Sequence, residues 1–294
     1  MKTILTLIGF YCCCNCPAQT LDKWASLVNW DGVSHWSKYI QTTPAYMGPN
    51  ALVIPFIGNG SVDSNTYIGG TTQLHFSKGD NTQNLALYGN YALVKDIISI
   101  DLYYVPIEIF RMSDAIKQER HVYYTHYYDN KARGDVVLNT NIRLLKKLDK
   151  KIHLTLRLGY RFPTSTDLQS ARFTDGMGYY FDVSFGKLLS PSLQWIGMTG
   201  FYCWQLNTLK YHQQDDAFLF GTGLEWNKNG WKAQLYTAGF IGYFKDGGDK
   251  PVVLRAHLEK RSGKAGLLLR LQKGIKDFKY SSIELGAKYY LRKK

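Results

Sequence analysis

The chain has 294 residues, 45% hydrophobic and 15% aromatic but only 20% charged, with 27 Gly, 22 Tyr and a formal charge of +13. This balance excludes a disordered chain and argues against a helical bundle. Beyond the first twenty residues no uninterrupted apolar stretch approaches the length of a membrane-spanning helix, which excludes a helical membrane protein. The length suits two soluble domains or one β-barrel of outer-membrane size, so patterning has to choose between them.

Residues 1–19 read as a cleaved secretory signal peptide: Lys2 supplies the positive start, residues 4–14 the apolar centre, and Cys16-Pro17-Ala18-Gln19 a short cleavage region. A lipoprotein signal acylating Cys12, Cys13, Cys14 or Cys16 is the rival reading, but none of these follows the usual leucine-led, small-residue run. Four of the five cysteines lie in this leader, so the exported chain keeps Cys203 alone and forms no internal disulfide.

Residues 20–65 form an N-terminal extension of another character. Trp24, Trp30 and Trp36 recur every six residues, followed by Pro44, Gly48-Pro49, Pro55 and Gly58-Asn59-Gly60, a density of breakers that suits irregular extended chain. The functional reading is a plug or constriction in a lumen, or a periplasmic docking arm. The plainer one is an extension that caps the barrel mouth.

From about Thr66 the apolar pattern has period two, in segments of about ten residues divided by polar or glycine-containing connections, which is the signature of a transmembrane β-barrel. In the clearest segment Ile152, Leu154, Leu156, Leu158, Tyr160 and Phe162 share one face, and His153, Thr155, Arg157, Gly159 and Arg161 the other. Residues 66–294 thus predict a closed antiparallel transmembrane barrel of about twelve strands, at 66–76, 82–93, 97–110, 134–145, 152–162, 178–188, 193–204, 217–226, 231–243, 251–260, 265–273 and 280–291. Every second connection is short (94–96, 146–151, 189–192, 227–230, 261–264), and these are expected to be periplasmic turns, with 111–133, 163–177, 205–216 and 244–250 as extracellular loops. Both termini are then expected at the periplasmic end. Two anomalies stand out. Apolar parity changes within 97–110, which a bulge near Pro106 explains. Residues 193–204 and 231–243 are apolar on both faces, which calls for something inside the barrel to pack on, and residues 20–65 are the candidate.

The stretches from Thr43 to Leu52 (TPAYMGPNAL) and from Arg172 to Asp182 (RFTDGMGYYFD) resemble uncharacterised outer-membrane β-barrel proteins of Bacteroidetes type, as does a leader ending in Ala18-Gln19. The resemblance implies an outer-membrane location and a barrel fold, and brings no catalytic residues with it.

The inferred lumen face carries Asp101, Arg143, Arg157, Arg161, Asp182, Glu225, Arg255, His257, Glu259, Arg270, Glu284 and Lys288. One reading is a polar network filling a narrow barrel, since charges away from bulk water need partners. The other is a selectivity surface in which Arg143 with Arg157, and Arg255 with Arg270, attract anionic solutes. The aromatic stretch His121, Tyr123, Tyr124, His126, Tyr127, Tyr128 before Arg133 is read as interfacial girdle ahead of a glycan-binding loop. No metal or other cofactor is expected: the histidine spacing matches no metal pair, and the Gly58-Asn59-Gly60, Gly221-Thr222-Gly223 and Gly247-Gly248 sequences lack the lysine and helix of a phosphate loop. No Gly-x-Ser-x-Gly elbow or compact serine/histidine motif occurs, which places an outer-membrane lipid hydrolase among the alternatives, with a non-conducting scaffold or adhesin and an envelope assembly component. Much of the positive charge (Lys146, Lys147, Lys150, Lys151, Lys264, Arg292, Lys293, Lys294) lies in turns and the tail, so nucleic acid is not expected as a partner. The expected function is passive passage or binding of small polar solutes, with anionic ones favoured by the arginines. The expected partners are outer-membrane lipids, those solutes and the outer-membrane assembly machinery.

Overall fold

The computed structural model describes residues 21–123, 130–145, 152–165, 168–206, 214–243 and 247–291. Residues 1–20, where the signal peptide is expected, Tyr124, His126, Tyr127, Tyr128, the connection 146–151 and the last three residues lie outside the described residues.

Twelve long strands form the wall: β1 (Tyr67–Ser77), β2 (Asp80–Val94), β3 (Ile98–Met112), β4 (Val136–Arg143), β5 (Ile152–Phe162), β6 (Gly178–Leu188), β7 (Leu193–Gln205), β8 (Gln214–Lys228), β9 (Trp231–Gly242), β10 (Val252–Ser262), β11 (Ala265–Lys276) and β12 (Ser281–Tyr290). A two-residue ladder, Lys131–Ala132, pairs with Ile109 and Glu108 near the C-terminal end of β3. Each strand pairs antiparallel with its chain neighbours, and β1 pairs with β12 from Tyr67 opposite Tyr290 to Phe76 opposite Ser281, so the sheet closes. Closure leaves no open edge, which is the condition for a sheet to cross hydrocarbon.

The period-two pattern sorts the side chains as the alternation requires. Outward residues such as Leu85, Leu87, Leu158, Phe181, Leu235, Leu258 and Leu285 are exposed apolar side chains suited to lipid. Trp195, Trp226 and Trp231 stand outward next to the short turns 189–192 and 229–230, where indoles suit the membrane interface. The parity change in β3 is a bulge: Leu85 pairs with Ile107 and Leu87 with Tyr104, so Val105 and Pro106 together face Ala86. Before it Leu102 points outward. After it Ile107 and Ile109 do, and Glu108 and Phe110 turn inward and are buried.

The interior is filled mainly by the chain ahead of β1. Residues 21–66 include a helix α1 (Leu21–Val28) and a short 3-10 turn (Trp36–Lys38) and otherwise run irregularly from the long-loop rim to the short-turn rim. Trp24 Nε1 donates to the carbonyl of His121 in the connection after β3, and Gln41 N–H to that of Arg120. Ala45 N–H donates to Gly248 and Gly48 N–H to Ala171, both in connections at the long-loop rim. At the opposite rim Asn90 Nδ2 donates to the carbonyl of Asn65 (2.6 Å), and Arg261 Nη1 to the Asn65 side chain (2.9 Å). The two ends of the described chain therefore do not share a rim, contrary to the sequence expectation: Tyr290 lies at the short turns and Trp24 among the loops. The threaded segment itself separates them.

Candidate functional site

The lumen is the space the closed wall surrounds, and its lining is set by strand alternation: each inward position faces the threaded segment or its neighbours across the barrel. On the apolar side, Ile40, Met47, Ala51, Leu52, Ile54 and Ile57 share one buried cluster with Ile196, Met198, Tyr202, Tyr236, Ala238 and Phe240. The apolar inner faces of β7 and β9 thus have their partner. Tyr202 and Phe240 stack within it at 4.6 Å between centroids.

The polar wall holds the segment mainly by its backbone. Arg255 donates from Nη2 to the carbonyl of Ile54 (3.0 Å) and from Nη1 to that of Pro55 (3.2 Å), while its Nε holds Gln272. Arg157 Nη1 donates to the carbonyl of Phe56 (2.7 Å) and its Nε to Asp182 (2.7 Å). Arg161 reaches the carbonyl of Ala51 and pairs with Asp135 (2.8 Å). The Phe56 ring lies under two guanidinium groups, Arg255 at 4.6 Å and Arg270 at 3.9 Å. An extended chain in a lumen carries carbonyls with no ladder partner, and a guanidinium supplies several donors to each such stretch. Further toward the short turns, Asn59 Nδ2 donates to Glu225 (2.9 Å), a carboxylate also held by Gln194, Asn227, Gln234 and Lys232. Gly60 has φ +76, and a Cβ there would run into the carbonyl oxygen of His153, so the crossing of β5 and β6 at this point admits glycine alone without strain.

The structure places the sequence-derived candidates as follows. Arg255 and Arg270 do stand together, on Phe56. Arg143 and Arg157 do not: Arg143 lies at the rim, donating to the carbonyl of Asp96, while Arg157 is spent on Asp182 and Phe56. Arg161 and Asp182 are buried in the lumen. Arg270 pairs with Glu284 (2.5 Å), Lys288 with Glu259 (2.7 Å), and His257 lies between Gln234 and Glu259. Tyr123, read from sequence as girdle, instead stacks on Trp36 (5.4 Å) and meets Trp24 edge-on, because the threaded chain brings its tryptophans to that loop.

A second charged group seals the long-loop end. Arg172, fully buried, pairs with Asp80 (2.8 Å) and Glu108 (2.7 Å) and donates to Thr82 (2.7 Å), with its guanidinium 4.5 Å from the Phe110 ring. Arg120 joins through Asp80 (2.6 Å) and the Tyr280 hydroxyl (2.9 Å), and Asn50 of the segment donates to Glu108 (2.6 Å). Both arginines come from long loops and reach back into the barrel. Sequence reading missed this group: Asp80 falls in a hairpin, and Glu108 turns inward through the bulge. Arg172 heads one of the two stretches that carried the family resemblance, which was the available signal.

Two spaces remain. One, of about 480 Å³, lies between residues 53–64 and the wall, from Ser64, Tyr67 and Asn90 near the short turns up to Arg161 and Tyr202. The other, of about 40 Å³, lies under residues 49–56. The smaller one is bordered by Ser282 and His75, which begin a line that ends on a carboxamide behind them: Ser282 Oγ is 2.7 Å from His75 Nδ1, and His75 Nε2 is 2.8 Å from Asn84 Oδ1. Asn84 Nδ2 donates to Gln73, and its Oδ1 also accepts from Asn50, which fixes the amide and makes Nε2 the protonated nitrogen. This has the form of a hydrolytic relay, but all three groups are buried, and the serine and histidine face a space with room for water and no substrate. Among the described residues no group of three His, Cys, Asp or Glu side chains is disposed to hold a metal ion.

No protein-family model matches the chain, and none of the curated proteins does. Among solved structures it is similar to an outer-membrane channel from Pseudomonas putida F1, with TM-score 0.55 and 11% identity, covering 81% of this chain and 100% of that one. It is also similar to the NanC porin, with TM-score 0.51 and 8% identity, covering 76% of this chain and 100% of that one. At these identities the likeness is one of fold. The chain has the fold of a closed twelve-stranded outer-membrane β-barrel.

Proposed function

We propose that the chain is an outer-membrane channel or binding protein for small polar solutes, exported by its residues 1–19 and closed in this conformation by residues 40–65 acting as a lumen plug. The observation that supports it is the mode of attachment. Arg157, Arg161 and Arg255 hold the segment through carbonyls of residues 51–56, and Asn59 holds it through Glu225, contacts that can exchange for water or solute one by one. An apolar core alone would bind the segment without offering a polar path beside it. Here a space of about 480 Å³, lined by polar as well as apolar side chains, already adjoins it. The lipid-facing belt gives the barrel its membrane partner, and insertion by the outer-membrane assembly machinery is expected of any such barrel.

Anion preference is the finer question. The arginines that suggested it are engaged with carboxylates and carbonyls, so an anion would have to displace an existing partner. The test begins with heat-modifiable gel migration of detergent-extracted protein, which should shift. Planar-bilayer conductance follows for the full chain and for a chain lacking residues 20–65, with the reversal potential read in a salt gradient. Conductance that rises on deletion supports the plugged channel. A folded barrel that conducts in neither form removes the channel reading, and a strongly anion-selective open form restores the arginine selectivity surface.

A further inference from the structure

We infer that the cavity of about 480 Å³ beside the segment binds a neutral polyhydroxylated solute, a saccharide of one or two rings, entering from the short-turn mouth. The inference deepens the proposed function by naming a solute class for the same lumen. The volume falls in the range of small-molecule sites, roughly 300–1,000 Å³. Ser61 and Asp63, which border it near the short turns, are exposed, whereas the long-loop side is closed by the buried group around Arg172.

Charge is the first discriminator. Arg157 is bound to Asp182 (2.7 Å), Arg270 to Glu284 (2.5 Å), Lys232 to Glu225 (3.3 Å) and Lys288 to Glu259 (2.7 Å). An entering anion would leave one of these carboxylates buried without its cation, which costs more than the new contact returns unless the replacement geometry is excellent.

Neutral donors and acceptors are the second. Tyr180 OH donates to Asn139 Oδ1 (2.5 Å), Asn139 Nδ2 to Asp101 Oδ1 (2.6 Å), and Asn141 Nδ2 to Asp101 Oδ2 (2.7 Å). Asp101 is thus held in place by two carboxamides and not by a cation. A carboxylate oxygen has more than one acceptor direction, so both oxygens keep capacity for a hydroxyl donor. A carboxylate fixed at both oxygens and still able to accept is suited to a pair of vicinal hydroxyls, each donating one bond.

Shape is the third. Tyr67, Tyr88 and Tyr103 also border the cavity, giving it aromatic faces with polar tips. A pyranose ring is amphipathic in the complementary sense, with C–H faces and a rim of hydroxyls, so it can lie on a tyrosine while its rim reaches Asp101.

The test is isothermal titration calorimetry on the full chain folded in detergent, with maltose as the neutral probe, lactobionate as an anionic one of similar size and glucosamine as a cationic one. Maltose should bind, with lactobionate weaker by roughly tenfold or more, since it must displace a paired carboxylate. Asp101→Asn, nearly isosteric, should weaken maltose by roughly tenfold, because a charge-assisted acceptor is lost. Tyr67→Ala at the mouth provides a second variant and should weaken it severalfold, with heat-modifiable migration confirming that each variant is folded. No heat with maltose, equal or tighter binding of lactobionate, tightest binding of glucosamine, or maltose binding unchanged in both folded variants overturns the inference. Conductance without sugar binding overturns it and leaves the channel reading intact. Sugar binding by a barrel that never conducts supports it and removes the channel reading alone.

Discussion

The two ends of the lumen use the same residue types to opposite effect. At the long-loop end Arg120 and Arg172 reach down from loops, meet Asp80 and Glu108, and leave every one of these four groups buried. Toward the short turns, Arg157, Arg270, Lys232 and Lys288 are each paired with a carboxylate too, yet a cavity of about 480 Å³ remains. The difference is the supply of chain. Long loops can fold back to fill one mouth, whereas two-residue turns such as 229–230 and 263–264 cannot, so among the described residues the other mouth is occupied by the threaded segment. Charge pairing does not by itself close a barrel; the volume delivered with the charges does.

Substitution at the sealed end should have the largest effect. Arg172→Ala leaves Glu108 without its cation and Asp80 with Arg120 alone, and is expected to destabilise the barrel by about 3–5 kcal/mol, read as a lower midpoint of heat-modifiable unfolding. Arg172→Lys should recover only part of this, since a single ammonium cannot reproduce the guanidinium's contacts to Asp80, Glu108 and Thr82. At the open end the same operation should loosen the segment and spare the wall. Arg255→Met removes the donors to Ile54 and Pro55, with an expected cost of about 1–3 kcal/mol per orphaned carbonyl, partly relieved by water. The readout is protease cleavage within residues 40–65 at an unchanged unfolding midpoint; a midpoint that falls as far as in Arg172→Ala would erase the distinction between the two ends. Gly60→Ala forces a Cβ against His153 at positive φ and should cost about 1–3 kcal/mol of local strain, visible as faster proteolysis near the short turns. Ser282→Ala should be smaller, about 1 kcal/mol for one hydrogen bond, and should leave any lipase signal of the preparation unchanged; abolition of such a signal would make the Ser282–His75–Asn84 line catalytic. Lys279→Ala, which removes a half-exposed pair with Glu119, should stay within about 1 kcal/mol.

Legibility in the sequence followed the same division. The lipid face was readable because one solvent acts along every strand: Ile152, Leu158 and Phe162 need to face hydrocarbon regardless of what the rest of the chain does. The bulge was readable from the parity of Ile98, Leu102, Ile107 and Ile109 for the same reason. The lumen was only partly readable, because its solvent is the chain itself. Inner apolar faces on β7 and β9 announced an occupant, but not that Arg157 and Arg255 would be spent on the carbonyls of residues 54–56, nor that Arg143 would lie out at the rim. Asp80 and Glu108 were invisible as a site because their partners come from loops some 40–90 residues away in the chain, a separation that no strand periodicity encodes. Residues 20–65 were readable as a candidate lumen occupant, but their crossing from rim to rim was hidden by a sound rule: an even strand count places both ends of the barrel wall at one rim, and the segment ahead of β1 then crosses to the other.

That crossing is the central claim, and thiol labelling tests it most directly. Ser26→Cys in α1 and Ser61→Cys near the short turns are both exposed positions, and the native Cys203 is buried. With a membrane-impermeant maleimide on intact cells, and the parent chain as the control, residue 26 should label from outside and residue 61 only after the outer membrane is permeabilised. Labelling of both from the same side would contradict a segment that spans the lumen and would place residues 21–66 at one mouth of the barrel.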